Sequence, residues 1–109
     1  MKLLIITSIK EDLQAVTHIM EKAGIAVFSV SETIGHKTEQ HGFLMDNWFG
    51  KSGDGTDALF IFSFTDDAKA THTIDLVKNH NAVSESHFPI RAFVVPVDKV
   101  VGVAHLMGE

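Results

Sequence analysis

The residues best suited to chemistry lie in the stretch NWFGKSGDGTD, from Asn47 to Asp57. It contains Gly-Lys-Ser, the end of a Walker-type phosphate loop. With Gly50 as the second glycine of that motif, the first would fall at Met45. A Walker loop also opens a helix, whereas a turn and then a strand are predicted here. We therefore interpret the stretch as a polar turn, not as a nucleotide-binding loop.

Other catalytic signatures are missing from the sequence. No Gly-x-Gly-x-x-Gly follows the first apolar run, and no Ser-His-acid or two-carboxylate pattern can be assembled. Ser8, Ser52 and Ser63 have simpler roles as a helix cap, a turn residue and a strand residue. The sequence therefore predicts a protein that is not an enzyme.

Histidine is abundant, with seven residues in a chain that has no Cys. A divalent-metal site would need two or three His with a carboxylate, and His36, His41 and His87 are the candidate ligands. No HExxH or other fixed metal spacing is present, so scattered surface histidines are the alternative. His18 and His72 are predicted on helix surfaces.

Two aromatic residues, Trp48 and Phe49, lie in otherwise polar surroundings. Exposed aromatic side chains of this kind can anchor a partner protein. The alternative is that they fold back onto the protein's own cleft.

Length and charge narrow the class of protein. A chain of 109 residues forms one small domain, here residues 1–109. The net charge of -5 provides no basic stripe for nucleic acid. The apolar start MKLLIITSIKEDL is too short for a signal peptide or a membrane span. We expect a soluble, cytoplasmic protein.

Hydrophobic periodicity predicts the first half as strand, helix, strand. Lys2–Thr7 is an apolar run, and Ser8 with Glu11 forms a capping-box signature. Gly24 is placed to end the helix with a positive φ, and Ile25–Ile34 is the second strand. The predicted buried stripe of the helix is Leu13, Val16, Ile19, Met20 and Ala23.

The second half repeats this order after a long segment, residues 35–57, without periodicity. Ala58–Phe64 is predicted as a strand, Thr65 or Asp66 as a helix cap, and Ile90–Val97 as the last strand. The predicted buried stripe of the second helix is Ala70, Ile74 and Val77.

The β-α-β-β-α-β order predicts an α+β, ferredoxin-like sandwich, with an antiparallel sheet and two helices on one face. The third strand places Phe60, Phe62 and Phe64 on one face and Leu59 and Ile61 on the other. Two helices cover only one face, so an apolar face is left bare. We infer that oligomerisation covers it.

Three segments resemble the PII-like signal-transduction superfamily, also described as nitrogen regulatory protein-like. MKLLIITSIKEDLQAVTHIMEKAGI is similar to its first strand and helix, and VSETIGHKTEQHG resembles the entry to its long T-loop. RAFVVPVDKVVGVAHLMGE resembles its last strand and tail, with Pro-Val-acidic-x-Val-Val at residues 96–101. The resemblance covers nearly the whole chain.

This resemblance implies a homotrimer that binds a small effector, such as an adenine nucleotide, in clefts between subunits. The segment 35–57 would be a mobile T-loop that engages a partner such as a membrane transporter. The effector-binding residues it implies are Gly35, His36, Lys37, His87 and Arg91.

The sequence departs from the family at three points. It has no Tyr, so uridylylation of the loop is excluded. VSESHFPIR stands where the family has a Gly-rich phosphate loop, and Arg91 is its single basic residue. Gly102 and Ala104 replace two phosphate-binding arginines. So few positive charges favour a smaller or less charged ligand than ATP.

Two other classes remain open. Related trimeric folds are connected with metals, so the chain could be a metal-binding accessory protein of an efflux system that uses His36, His41 and His87. It could also be a trimeric scaffold whose cleft is filled by Trp48 or Phe49.

Overall fold

The computed structural model describes residues 1–36, 54–85 and 87–102, with the backbone alone for residues 36 and 54–57. Strands and helices alternate in the predicted β-α-β-β-α-β order. The elements are β1 (Lys2–Ile9), α1 (Leu13–Ala23), β2 (Ser29–His36), β3 (Asp54–Thr65), α2 (Asp67–Val83) and β4 (Arg91–Pro96). Within the described ranges, no helix has the length and apolar character needed to cross a bilayer.

The strands form one antiparallel sheet in the order β2-β3-β1-β4. Because β1 lies between β3 and β4, the two β-α-β halves interleave, which is compatible with a ferredoxin-like fold. The predicted α+β class and antiparallel sheet are confirmed. The predicted T-loop-like insertion lies largely in residues 37–53, outside the described residues.

Both helices pack on one face of the sheet and form the core there. Leu4 and Ile6 of β1 and Ile61 of β3 are fully buried in one cluster with Val16 and Met20 of α1. Alternate strand residues point to opposite faces, so these three strand residues share the helix side. Neither of the two described helices lies over the second face of the sheet.

Helix α1 begins later than predicted. Ser8 remains paired in the ladder with β3, and its hydroxyl donates a hydrogen bond to the Ile9 carbonyl. A 3₁₀ turn at Lys10–Asp12 then leads into the helix. The capping-box prediction from Ser8 and Glu11 is wrong, because ladder hydrogen bonds carry the strand beyond its apolar run.

The end of α1 is as predicted. Gly24 has φ 79°, and its N–H donates to the Glu21 carbonyl at 3.1 Å. A residue with a side chain adopts this left-handed conformation only with strain. Leu13, at the first position of the predicted stripe, is 37% exposed, whereas the remaining four positions are buried.

Helix α2 begins at the predicted cap. The Asp66 carboxylate accepts a hydrogen bond from the Lys69 backbone N–H at 2.8 Å. Ala70 and Val77 are buried as predicted, but Thr73 fills the position expected of Ile74. The Thr73 hydroxyl can be buried because it donates to the Lys69 carbonyl at 2.8 Å.

The β2–β3 hairpin is longer at its tip than predicted. β2 runs to His36, which pairs with Asp54, and an irregularity separates this pair from Ile34 and Asp57. Part of the predicted loop 35–57, including Asp54 of the Gly-Asp-Gly, is therefore strand. The polar and glycine residues here lack the alternating apolar pattern that predicts a strand. They can still pair as strands, because the ladder hydrogen bonds join backbone groups and not side chains.

Candidate functional site

The uncovered face of the sheet, named the open face, is strongly apolar. In the ladders, Phe62 of β3 lies opposite Ile5, which lies opposite Phe93 of β4. Directly opposed residues of antiparallel strands point to the same side. The large apolar residues of the open face are Leu3, Ile5, Ile9, Phe60, Phe62, Phe64, Phe93 and Val95.

Three phenylalanines form a continuous strip along β3. The ring centroids of Phe60 and Phe62 are 5.9 Å apart, and those of Phe62 and Phe64 are 6.4 Å apart, edge to face. Phe64 is 39% exposed, and Val95, which lies in the same row on β4 beyond Leu3, is 41% exposed. This confirms that β3 divides its phenylalanines and its aliphatic residues between two faces, as its alternation predicted.

The open face becomes more polar toward the hairpin end of the sheet. One row across all four strands consists of Ser31, Phe60, Thr7 and Arg91, in spatial order. Arg91 and Ser31 are at its two ends, and Arg91 is partly buried. We refer to these four residues as the Arg91 row.

Asn81 of α2 fixes the backbone just before Arg91. Its amide nitrogen donates to the Ile90 carbonyl at 2.8 Å, and the Ile90 N–H donates to its amide oxygen at 3.0 Å. Ile90 is only 2% exposed, so the Asn81 side chain satisfies both backbone polar groups of a buried residue. Sequence analysis missed this contact, because no local sequence pattern indicates that a helix residue bonds to the backbone nine positions later.

The predicted effector-binding residues do not converge within one chain. Gly35 and His36 lie on β2, whereas Arg91 lies on β4 and the exposed His87 just before it. β2 and β4 are the two edge strands, with β3 and β1 between them. Three strand spacings separate the edges by about 14 Å. Within one chain, the described residues of the predicted effector site are therefore divided between the two edges of the sheet.

The remaining candidates from the sequence lie outside the described residues. These are the effector-binding Lys37, the metal candidate His41, and the partner-binding Trp48 and Phe49. Their predicted roles stay predictions.

A metal centre finds no geometric support in the part of the chain that the structure describes. No group of three or more His, Asp or Glu residues is arranged there to hold a metal ion. His18 and His72 are exposed on the helices, as predicted.

The outer surfaces of the two helices enclose a shallow groove of about 740 Å³ that sequence analysis did not foresee. Its floor includes Ile19 and Leu76, and His18 and His80 are among the polar residues around it. Beside the lining residue Glu11 in the chain, burial raises the pKa of the Asp12 carboxyl above its usual value, although the electrostatic effect of His80 opposes this shift.

The chain matches no protein-family model and no curated protein. Among the described residues, the open face is the feature least typical of a monomeric protein, because monomers rarely expose a large apolar patch.

Proposed function

We propose that the protein is a PII-like regulatory protein that acts as an oligomer, binds a small effector between subunits and regulates a partner protein. The observation that carries this proposal is the open face. Eight large apolar side chains share one side of the sheet, and the two described helices cover only the other side. Monomers rarely expose apolar patches larger than a few hundred Å².

Assembly through the open face places the strip of phenylalanines away from water. Burial of an aromatic side chain removes about 150–250 Å² from solvent, so the strip is a strong source of association free energy. The helices lie on the opposite side of the sheet and would remain outside such an oligomer. The resemblance to PII-like proteins favours three subunits.

The effector cleft follows from the same assembly. Gly35 and His36 on one edge strand and Arg91 on the other cannot meet within a chain. In a ring of subunits, the β2 edge of one copy can approach the β4 edge of the next. Such a cleft would combine the predicted Lys37 and His87 with Arg91, and it would take an adenine nucleotide or a smaller effector.

The output would come from the tip of the β2–β3 hairpin. His36 and Asp54 form the last described pair of this hairpin. Effector binding at the base of this hairpin would bias the segment between them toward one conformation. That bias would be read by a transporter or another regulated protein, without chemistry on a substrate.

Sedimentation velocity over a range of protein concentrations tests the assembly. The wild type should form a trimer, and Phe62→Ser should remain monomeric while keeping its circular dichroism spectrum. Val83→Ser is the matched control, because Val83 is 81% exposed on α2, away from the open face. A monomeric wild type, or a Phe62→Ser trimer as stable as the wild-type trimer, would contradict the proposal.

Thermal unfolding with ATP, ADP, AMP and cyclic nucleotides tests the effector. A ligand at about a hundred times its dissociation constant should add roughly 2.7 kcal/mol of stability. We expect at least one nucleotide to raise the Tm of the wild type and to have no effect on Arg91→Ala. A nucleotide response that survives this substitution would remove Arg91 from the effector site.

A further inference from the structure

The groove between the outer surfaces of α1 and α2, named the helix groove, is lined in the pattern of a helix–helix contact. Each helix contributes residues at relative positions i, i+4 and i+7, which share one helical face. This is the spacing of the residues that one helix presents to another in a coiled coil. The residues at these positions are Ala15, Ile19 and Lys22 on α1, and Leu76, His80 and Val83 on α2.

The apolar part of this lining remains accessible to solvent. Val83 is 81% exposed, and Ala15 and Leu76 are only partly buried. A single exposed apolar residue is ordinary, but these three line the same groove. Because the helices lie on the side of the sheet opposite the open face, the helix groove would also be accessible in the proposed oligomer.

The two ends of the helix groove carry opposite charges. Since β1 and β2 are both antiparallel to β3, and β4 is antiparallel to β1, the connecting helices run in opposite directions. Glu11 therefore lies at the end of the groove where α2 finishes, and Lys22 lies at the other end, about 16 Å away along α1. Both side chains are exposed, and neither forms an ion pair with another described residue.

We propose that the helix groove binds an amphipathic α-helix of a partner protein, which places apolar residues on the lining, a basic residue near Glu11 and an acidic residue near Lys22. A helix is convex, so its apolar ridge can fill a concave groove between two other helices. A second copy of this chain would present the same concave surface and leave the apolar lining unfilled. A small molecule would stay largely exposed in so shallow a groove, whereas small-molecule pockets enclose most of their ligand.

This binding site is separate from the open face and from the proposed effector cleft. All of its residues belong to one chain, so it does not depend on the oligomer. A partner helix of about three turns covers the 16 Å between the two charges. Because so short a helix buries little surface, we expect weak and reversible binding.

The probe is a synthetic, alanine-rich peptide of about 14 residues, which as a helix is long enough to span the helix groove. It carries leucines along one face, an arginine near one end and a glutamate near the other. Titration into the isotopically labelled protein at low ionic strength should shift the backbone amide NMR signals of the facing turns of α1 and α2. A matched peptide with glutamine in place of both charged residues should bind roughly two- to tenfold more weakly, because it lacks two exposed ion pairs.

Variants of the protein locate the binding site. Val83→Ser should weaken peptide binding by roughly five- to tenfold, because it removes apolar contact area. Lys22→Met should reduce the preference for the charged peptide by roughly two- to fivefold. Lys78→Met is the matched control and should bind both peptides like the wild type, since Lys78 is exposed on α2 but does not line the groove.

An absence of peptide binding would overturn the inference, and so would signal changes confined to strand residues of the open face. Equal binding of the charged and the glutamine peptides would overturn the proposed partner chemistry. Self-association of the protein that Val83→Ser abolishes would make a second copy the occupant. Phe62→Ser should bind the peptide like the wild type whatever its oligomeric state, so a failure of the proposed oligomer is distinguishable from a failure of this site.

Discussion

Asn81 holds the backbone immediately before Arg91 through two side-chain hydrogen bonds. Its amide satisfies both the N–H and the carbonyl of Ile90, the residue immediately before β4. The amide thereby joins the last turns of α2 to the start of β4. An arginine at the end of a strand is well oriented only if the backbone before it is held.

Asn81→Ala should destabilise the protein by about 1–3 kcal/mol, because it leaves two buried backbone groups without partners. Urea denaturation measures the change. Asn79→Ala is the control, since Asn79 is exposed on the same helix and should change stability by less than about 0.5 kcal/mol. Equal effects of the two substitutions would show that the Ile90 contacts contribute nothing.

The Asp12 carboxyl has a pKa raised mainly by burial. In the folded state its ionised form is therefore disfavoured, and this cost is present above the raised pKa. The cost disappears as the pH falls through the folded pKa to below the unfolded value of 3.8. Protons thus stabilise the fold through this group.

Asp12→Asn should gain stability over the wild type near neutral pH, and the gain should shrink as the pH approaches 3.8. Urea denaturation at several pH values measures the difference. Asp75→Asn, a change of an exposed carboxylate on α2, should not reproduce this pH dependence. A difference for Asp12→Asn that grows on acidification would reverse the sign and contradict the burial of the carboxyl.

Among the elements, α2 is the one whose start depends on a single side chain. Its first-turn N–H groups have no partners within the helix, and the Asp66 carboxylate binds one of them, that of Lys69. Asp66→Ala should destabilise the protein by about 0.5–2 kcal/mol, as measured by chemical denaturation. Asp66→Asn should retain most of the stability, because its amide oxygen still accepts. Equal losses of stability for the two variants would show that the negative charge of Asp66, and not its capping hydrogen bond, stabilises the helix.

The ends of the strands were predicted less accurately than the end of helix α1. Helix α1 ends at Gly24 because the sequence supplies a residue suited to positive φ. Strand ends are set by pairing with another strand, so Ser8 stays in β1 and Asp54 begins β3. No local residue pattern contains that information.

At the scale of the whole molecule, the two faces of the sheet have unequal cover. One face packs on two helices, and its central residues Leu4, Ile6 and Ile61 are fully buried. The other presents Phe64 and Val95 to solvent at 39% and 41% exposure. The proposed assembly of several chains would resolve this imbalance, and it would also join edge strands that lie about 14 Å apart in a single chain.

The sequence by itself determined the order of elements, the two helix stripes and the alternation that makes β3 apolar on both sides. These features follow from local periodicity, which is a property of neighbouring residues. It also identified Arg91 as the single basic residue of the segment VSESHFPIR. Only the tertiary structure decided which residues share a row with it, because register depends on pairing between distant strands. For the same reason, only the structure showed that Gly35 and Arg91 occupy opposite edges of the sheet.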